Sequence, residues 1–257
     1  MASVTRREML ARAGQAAAVL GTGLPAVDAS GKGVTMQNAP DRKLKVIVAG
    51  GHPGDPEYGC GGAIARYTGR GHEVVLLYLN DGAWPVSKGG APAPVRMEEA
   101  GKACRILHAR PSYAGQINGN AVIDASHFDH YRKILENEQP DIVITQWPID
   151  HHRDHRAISE LTFDAWLQMG KRFALYYYEV SDGEDTLQFA PTHYVDITAV
   201  EPVKREACYA HASQTPDKYY ALQDRVASFR GIESGFERAE GFIHQVRSPY
   251  QPLPGST

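Results

Sequence analysis

The chain has 257 residues, of which 42% are hydrophobic and 22% charged, a composition typical of globular proteins. Its formal net charge is −3 at pH 7, so it lacks the basic excess with which proteins hold nucleic acid. No run of about 18 apolar residues follows the N-terminal segment, so we expect no membrane span in the mature chain.

Residues 1–29 are expected to be an export signal rather than part of the fold. The pair Arg6-Arg7 precedes a weakly apolar stretch, Ala16–Leu24, and small residues follow at spacings that a signal peptidase accepts. This order is that of a twin-arginine signal, and the alternative is an N-terminal helix that happens to contain two arginines. We therefore predict a protein of the periplasm, the cell surface or the medium.

Residues 30–41 are rich in glycine and polar side chains and are expected to form a linker. No similar stretch interrupts residues 42–257, so we predict one catalytic domain there. The three cysteines, Cys60, Cys104 and Cys208, have no short spacing and indicate neither a disulfide framework nor a thiolate metal site.

Strands and helices are predicted to alternate along this domain. Buried apolar runs predict strands and amphipathic stretches predict helices. In chain order these are strand 45–49, helix 62–70, strand 73–79, loop 83–94, helix 95–107, helix 127–138, strand 141–145, helix 157–169, strand 173–180, strand 194–197, helices 201–213 and 217–229, and strand 242–246. The alternation predicts an α/β fold with a parallel, partly mixed sheet and helices on both faces.

Two clusters of histidine and carboxylate residues follow predicted strands. Gly51–Glu57 (GHPGDPE) follows the first strand, and Asp150–His155 (DHHRDH) follows strand 141–145. Because ligands of open α/β sheets bind outside the carboxyl ends of the strands, both clusters are expected to face one crevice. Two imidazole nitrogens and one carboxylate oxygen are a recurring ligand set of catalytic zinc. The sequence therefore predicts a divalent-metal site, and the alternative is a pair of ordinary surface loops.

Five segments resemble those of the LmbE/PIG-L deacetylases, in the same order, between residues 43 and 214. They are HPGDPEYGCGG, GHEVVLLYLNDG, the R-x-x-E-A pattern from Arg96 to Ala100, PDIVITQWPIDHHRDHRA and HASQ. The resemblance implies a Rossmann-like fold that uses zinc to remove acyl groups from N-acylated amino sugars.

The resemblance also implies roles for individual residues. His52, Asp55 and His155 match the ligands of Zn²⁺, although another divalent metal stays open. His152 matches the histidine that stabilises the oxyanion and protonates the leaving amine, and Arg96 matches the arginine that holds substrate.

Two further carboxylates are assigned to the site. Asp154 is expected to orient a histidine of its own motif. Asp81 would bind substrate hydroxyls from a neighbouring strand end, or else it belongs to an Asn-Asp-Gly turn.

Gly54 departs from the family pattern, because the family has an aspartate there that acts as the general base. Glycine has no side chain, and a positioned base contributes roughly 100- to 10,000-fold to the rate. Glu57, Asp154 or Asp150 would be the substitute base, Glu57 being nearest in sequence. Otherwise the metal acts alone, by lowering the pKa of its water to about 7, or the chemistry has changed, or the protein only binds its ligand.

The sequence thus predicts an exported zinc-dependent hydrolase of C–N (amide) bonds that deacetylates an N-acylated amino sugar or glycoconjugate through metal-activated water. The alternatives are a metal-containing carbohydrate-binding protein and a lyase or hydrolase of altered chemistry. A dinucleotide-binding module is disfavoured, because no G-x-G-x-x-G follows the first strand. Whether the chain forms homo-oligomers stays open.

Overall fold

The computed structural model describes residues 42–181 and 186–255, so the predicted signal (1–29) and linker (30–41) lie outside the described residues. The elements run β1 (Lys45–Gly50), α1 (Asp55–Gly69), β2 (Glu73–Asn80), α2 (Ala93–Ile106), β3 (Arg110–Gln116), α3 (Ala125–Glu138), β4 (Ile142–Gln146), α4 (Arg153–Gln168), β5 (Ala174–Tyr178), β6 (His193–Asp196), α5 (Glu201–Tyr209), α6 (Pro216–Ser234) and β7 (Ala239–His244). Short 3₁₀ helices lie at Val86–Lys88 and Ala212–Gln214. No helix in these ranges combines the length and the apolar character needed to cross a bilayer.

The strands form one mixed sheet in the order β3-β2-β1-β4-β5-β7-β6. Strands β1 to β5 pair in parallel, whereas β7 is antiparallel to both β5 and β6. This arrangement confirms the predicted α/β fold with a parallel, partly mixed sheet.

The order of the strands places a crevice between β1 and β4. The chain moves from β1 through β2 to β3, and then returns to form β4 on the other side of β1. The connections that leave the carboxyl ends of β1 and β4 therefore run to opposite faces, and ligands of such sheets bind at this switch point. Both histidine clusters begin there.

A hydrophobic core covers each face of the sheet. Val46 and Val48 of β1 face a core that includes side chains of α1, α2 and α5. Ile47 and Ala49 point to the other face, where α3 and α4 pack. Alternate side chains of a strand point to opposite faces, so β1 is buried on both sides, which explains its continuous apolar run.

Two helices begin earlier than predicted, inside the clusters themselves. Helix α1 begins at Asp55 rather than Gly62, and α4 begins at Arg153 rather than Ala157. The glycines of the GCGG segment have low helix propensity and concealed the start of α1. Gly59 is required by packing, because a Cβ there would lie 2.3 Å from the Tyr178 ring.

Strand β3 was not predicted. Its sequence, RPSYAGQ, has no apolar run, and most of its residues are partly or fully exposed. It pairs only with β2 among the described strands, at the edge of the sheet, where a proline such as Pro111 is tolerated.

Helix α1 is fixed to the far side of the sheet by a buried ion pair. Glu240 of β7 accepts the backbone N–H groups of Gly62 and Ala63, each at 2.8 Å. Lys204 Nζ donates to Glu240 Oε1 at 2.7 Å, and both side chains are 1% exposed. Because α1 begins at Asp55, this pair also fixes one side of the crevice.

Candidate active site

Three donor atoms meet at the crevice. His52 follows β1, Asp55 begins α1 and His155 lies in the first turn of α4. Asp55 Oδ2 lies 3.2 Å from His52 Nδ1 and 3.2 Å from His155 Nε2, and the two nitrogens are 3.3 Å apart. Ligands about 2.0–2.1 Å from a tetrahedral ion are about 3.3–3.4 Å from each other. The triangle therefore fits an ion of the size of Zn²⁺.

A separate carboxylate orients each imidazole of the triangle. Asp154 Oδ2 lies 3.2 Å from His52 Nε2, and Asp150 Oδ1 lies 3.1 Å from His155 Nδ1. Asp154 thus contacts the histidine of the first cluster instead of a histidine of its own motif, because α4 points its first turn back across the crevice. Carboxylates in this position fix the ring and raise the basicity of a metal-binding histidine.

Amide groups hold the carboxylates in turn. Gln146 Nε2 donates to Asp55 Oδ2 at 3.2 Å. Asp154 Oδ2 accepts from Asn80 Nδ2 at 3.1 Å and from the N–H of Gly119 at 2.7 Å. Sequence reasoning missed these partners, although Asn80 and Gln146 are polar residues that end the apolar strands β2 and β4.

Opposite charges stabilise one another within the triangle. Burial opposes protonation, but Asp55 and Asp154 raise the pKa of His52 to about 9. Burial likewise opposes protonation of His155, yet Asp55 and Asp150 raise its pKa well above the usual range. Burial disfavours the Asp55 carboxylate, but the two imidazoles hold its pKa well below the usual range. Positive charge beside Asp55 is therefore favoured, whether protons or a cation supply it.

His152 is the third imidazole of the group. Metal-binding atoms of His52, His152 and His155 lie within 4.8 Å of one another, a looser set than the triangle with Asp55. His152 Nδ1 accepts the N–H of Asp154 at 3.2 Å and thereby caps α4. Burial and the neighbouring imidazoles lower the pKa of His152. These contacts favour a neutral ring with its hydrogen on Nε2, which suits a hydrogen-bond donor better than a protonated acid.

Gly54 adopts a backbone conformation that glycine favours. Its φ is +113°, a value that strains residues with a Cβ. A Cβ built at this position would lie 3.7 Å from the Tyr58 ring and 4.0 Å from His211 Cδ2. His211 and Tyr58 are thus the side chains nearest to the place where the family aspartate would project.

The carboxylates expected to replace that aspartate do not line the cavity. Glu57 is fully buried and accepts hydrogen bonds from the N–H of Gly54 at 3.1 Å and from Tyr78 Oη at 2.7 Å. Its Oε1 also lies 2.9 Å from His211 Nε2. The other two, Asp150 and Asp154, are directed at the imidazoles that they orient.

A cavity of about 520 Å³ opens above the triangle, within the usual range for ligand sites. Arg96 lines it and is 3% exposed. Arg96 Nη2 donates to Pro53 O at 2.6 Å, and Nη1 lies 3.4 Å from Glu99. Asp81 is not among the lining residues, because its Oδ1 accepts the N–H of Ala83 at 2.9 Å within a turn.

Comparison with known proteins identifies the family to which the chain belongs. The family profile described as PIG-L, GlcNAc-PI de-N-acetylase, matches residues 46–166. Diacetylchitobiose deacetylase of Thermococcus kodakarensis is 30% identical over 224 residues, which cover 77% of this chain and 81% of that protein.

Solved structures share the fold. The conserved protein TT1542 of Thermus thermophilus superposes with a TM-score of 0.69 at 27% identity, over 81% of this chain and 98% of that chain. N,N′-diacetylchitobiose deacetylase of Pyrococcus horikoshii superposes with a TM-score of 0.69 at 23% identity, over 85% of this chain and 91% of that chain. The chain belongs to the LmbE/PIG-L family of deacetylases, as its motifs predicted.

Proposed function

We propose that the protein is an exported metal-dependent hydrolase that removes the acyl group from an N-acylated amino sugar or glycoconjugate, with Zn²⁺ as its metal. The observation that carries this proposal is the triangle formed by His52, Asp55 and His155 beneath the cavity. The diacetylchitobiose deacetylase relative supports the substrate class. The twin-arginine-like N-terminus supports export.

The donor set fits zinc, since it joins two imidazole nitrogens to one carboxylate oxygen and leaves the cavity side open. Bound zinc would polarise the amide carbonyl and lower the pKa of a water molecule, so that hydroxide is available for attack near neutral pH. His152 would donate its Nε2 hydrogen to the carbonyl oxygen as negative charge develops there. Arg96, fixed by Pro53 O and Glu99, would orient the substrate at the cavity wall.

We assign the role of general base to His211. Its Nε2 faces the Glu57 carboxylate at 2.9 Å, so Nε2 carries the hydrogen and Nδ1 is left as an acceptor. Within residues 42–181 and 186–255, Nδ1 has no hydrogen-bond partner although it is buried. A histidine oriented by a carboxylate is a recurring general base. His211 lines the cavity, and its Cδ2 lies 4.0 Å from the place of a Gly54 Cβ, so the ring stands beside the position from which the family aspartate would project.

A metal-containing carbohydrate-binding protein, or a lyase or hydrolase of altered chemistry, is the second candidate. The absence of a side chain at Gly54 is the observation that favours it. Measurement of turnover separates the two candidates.

The first prediction concerns metal and turnover. Wild-type protein incubated with zinc should retain about one ion per chain and release free amine from N-acetylated amino sugars. His155→Ala removes one donor and should lower metal retention and reduce amine release by about 100-fold or more. Metal analysis and a fluorescent amine assay measure both quantities.

His151→Ala is the matched control, because His151 is an exposed histidine in the same cluster. It should behave like the wild type. Wild-type protein that holds no metal, or a His155→Ala variant with normal turnover, would contradict the proposed function.

The second prediction concerns pH. Because the pKa of His52 is raised to about 9, this imidazole is mostly protonated at neutral pH and a metal must displace its proton. Zinc affinity should therefore rise with pH up to about 9, by about tenfold per unit for each proton displaced. Chelator competition measures the affinity, and a weakly buffered indicator measures the protons. An affinity independent of pH, without proton release, would show that metal binding displaces no proton from His52.

The third prediction tests the base. His211→Ala should retain zinc but lose roughly 100- to 10,000-fold in kcat. Added imidazole should restore part of kcat, because it can enter the space that the side chain leaves. Normal kcat in the variant, or lost activity that imidazole does not restore, would rule out His211 as the base.

A further inference from the structure

We propose that Thr186, which lies between β5 and β6, is a positioning residue of the metal centre that acts through Asp150 on the ligand His155. The inference rests on the proposed function, since it concerns the same metal site. Thr186 belongs to none of the five segments that resemble the family, so no motif in the sequence points to it.

The hydroxyl group of Thr186 directs its hydrogen at Asp150. Thr186 Oγ1 accepts the backbone N–H of Val180 at 3.0 Å, a contact that uses a lone pair of the oxygen. The same oxygen lies 2.9 Å from Asp150 Oδ2. An ionised carboxylate can only accept hydrogen bonds, so Thr186 is the donor in this contact.

Asp150 depends on this donor because its side chain is buried, with an exposed fraction of 0%. Its Oδ1 accepts the N–H of His152 at 2.7 Å and lies 3.1 Å from His155 Nδ1. Among the described residues, Thr186 is the one hydrogen-bond donor to Oδ2. A buried carboxylate oxygen that loses its donor costs free energy. Without the hydroxyl group, the carboxylate would therefore turn towards another donor and release His155.

The orientation of Asp150 decides which nitrogen of His155 faces the metal triangle. Because Nδ1 is directed at Asp150 Oδ1, Nδ1 carries a hydrogen, and Nε2 faces Asp55 Oδ2 at 3.2 Å. The same contact fixes the plane of the ring. A carboxylate that turns removes both constraints, so a change at Thr186 reaches the metal ligand through two hydrogen bonds.

Backbone contacts hold Thr186 beside Asp150 independently of the hydroxyl group. The two residues form an isolated antiparallel β-bridge. The N–H of Leu187 donates to Ile149 O at 2.9 Å, and the N–H of Thr186 donates to Val180 O at 3.1 Å. Removal of the hydroxyl group should therefore leave residue 186 in place and change only what its side chain does.

The experiment measures zinc affinity, so that it does not depend on turnover. Wild-type protein, Thr186→Val and Thr186→Ser compete for zinc with a chromophoric chelator at one pH. Valine has nearly the shape of threonine but no hydroxyl group. We expect Thr186→Val to bind zinc about tenfold more weakly, the lower end of the loss that follows removal of an outer hydrogen-bond partner at a metal site. Serine keeps the hydroxyl group and should restore the wild-type affinity.

Cobalt(II) provides a spectroscopic signature of the ligand geometry. The visible absorption of the Co²⁺-loaded protein should be the same in the wild type and in Thr186→Ser. It should change in Thr186→Val, because His155 is no longer held in one orientation. A role confined to the stability of the β5–β6 connection would leave this spectrum unchanged.

Thr198→Val is the matched control. Thr198 Oγ1 also accepts a backbone N–H, from Arg238 at 3.2 Å, but its hydroxyl group donates to Arg238 O at 3.5 Å rather than to a carboxylate. Thermal unfolding of each metal-free variant measures any loss of stability. Thr198→Val should keep the wild-type zinc affinity and cobalt spectrum even if its unfolding temperature falls.

Wild-type zinc affinity and an unchanged cobalt spectrum in Thr186→Val would overturn the inference. A loss of affinity that Thr186→Ser does not restore would also overturn it, because the hydroxyl group would then not be the cause. If the wild type binds zinc and Thr186→Val binds it more weakly, but no amine is released from N-acetylated amino sugars, the proposed function fails while the role of Thr186 is supported. The two failures are thus distinguishable.

Discussion

The Asp55 Oδ2 atom is the point on which the site depends. It is buried between the imidazoles of His52 and His155, and a carboxylate in such a place requires compensating positive charge or hydrogen bonds. Gln146 supplies one hydrogen bond, and the two imidazoles supply the charge. Because His52 follows β1 and His155 lies in α4, this one oxygen joins both sides of the switch point in the sheet.

The sequence predicts the parts of this fold that have a simple periodic signal. Strands β1, β2 and β4 are buried on both faces and therefore read as apolar runs. The start of α1 was concealed, because Gly59 is set by its contact with Tyr178 rather than by helix propensity. The edge strand β3 has neither an apolar run nor alternation, so pairing with β2 alone defines it.

The candidate site, like the fold, has a part that the sequence predicts and a part that it does not. The metal-donor residues can be identified from the sequence, because they lie in motifs that directly follow predicted strands. Their partners depend on side-chain direction across the crevice, which no local pattern encodes. Asp154 thus contacts His52 of the other cluster, and Glu57 turns away from the cavity to meet His211. Gly54 also has a positive φ, so an aspartate at this position would strain the turn.

The most direct test of the account is the position of the metal. Crystals of zinc-loaded protein would be measured at the zinc absorption edge, and the anomalous density located. The expected result is one peak, about 2.0–2.2 Å from His52 Nδ1, Asp55 Oδ2 and His155 Nε2. A peak held by His152 without Asp55, or no peak at the carboxyl ends of β1 and β4, would contradict it.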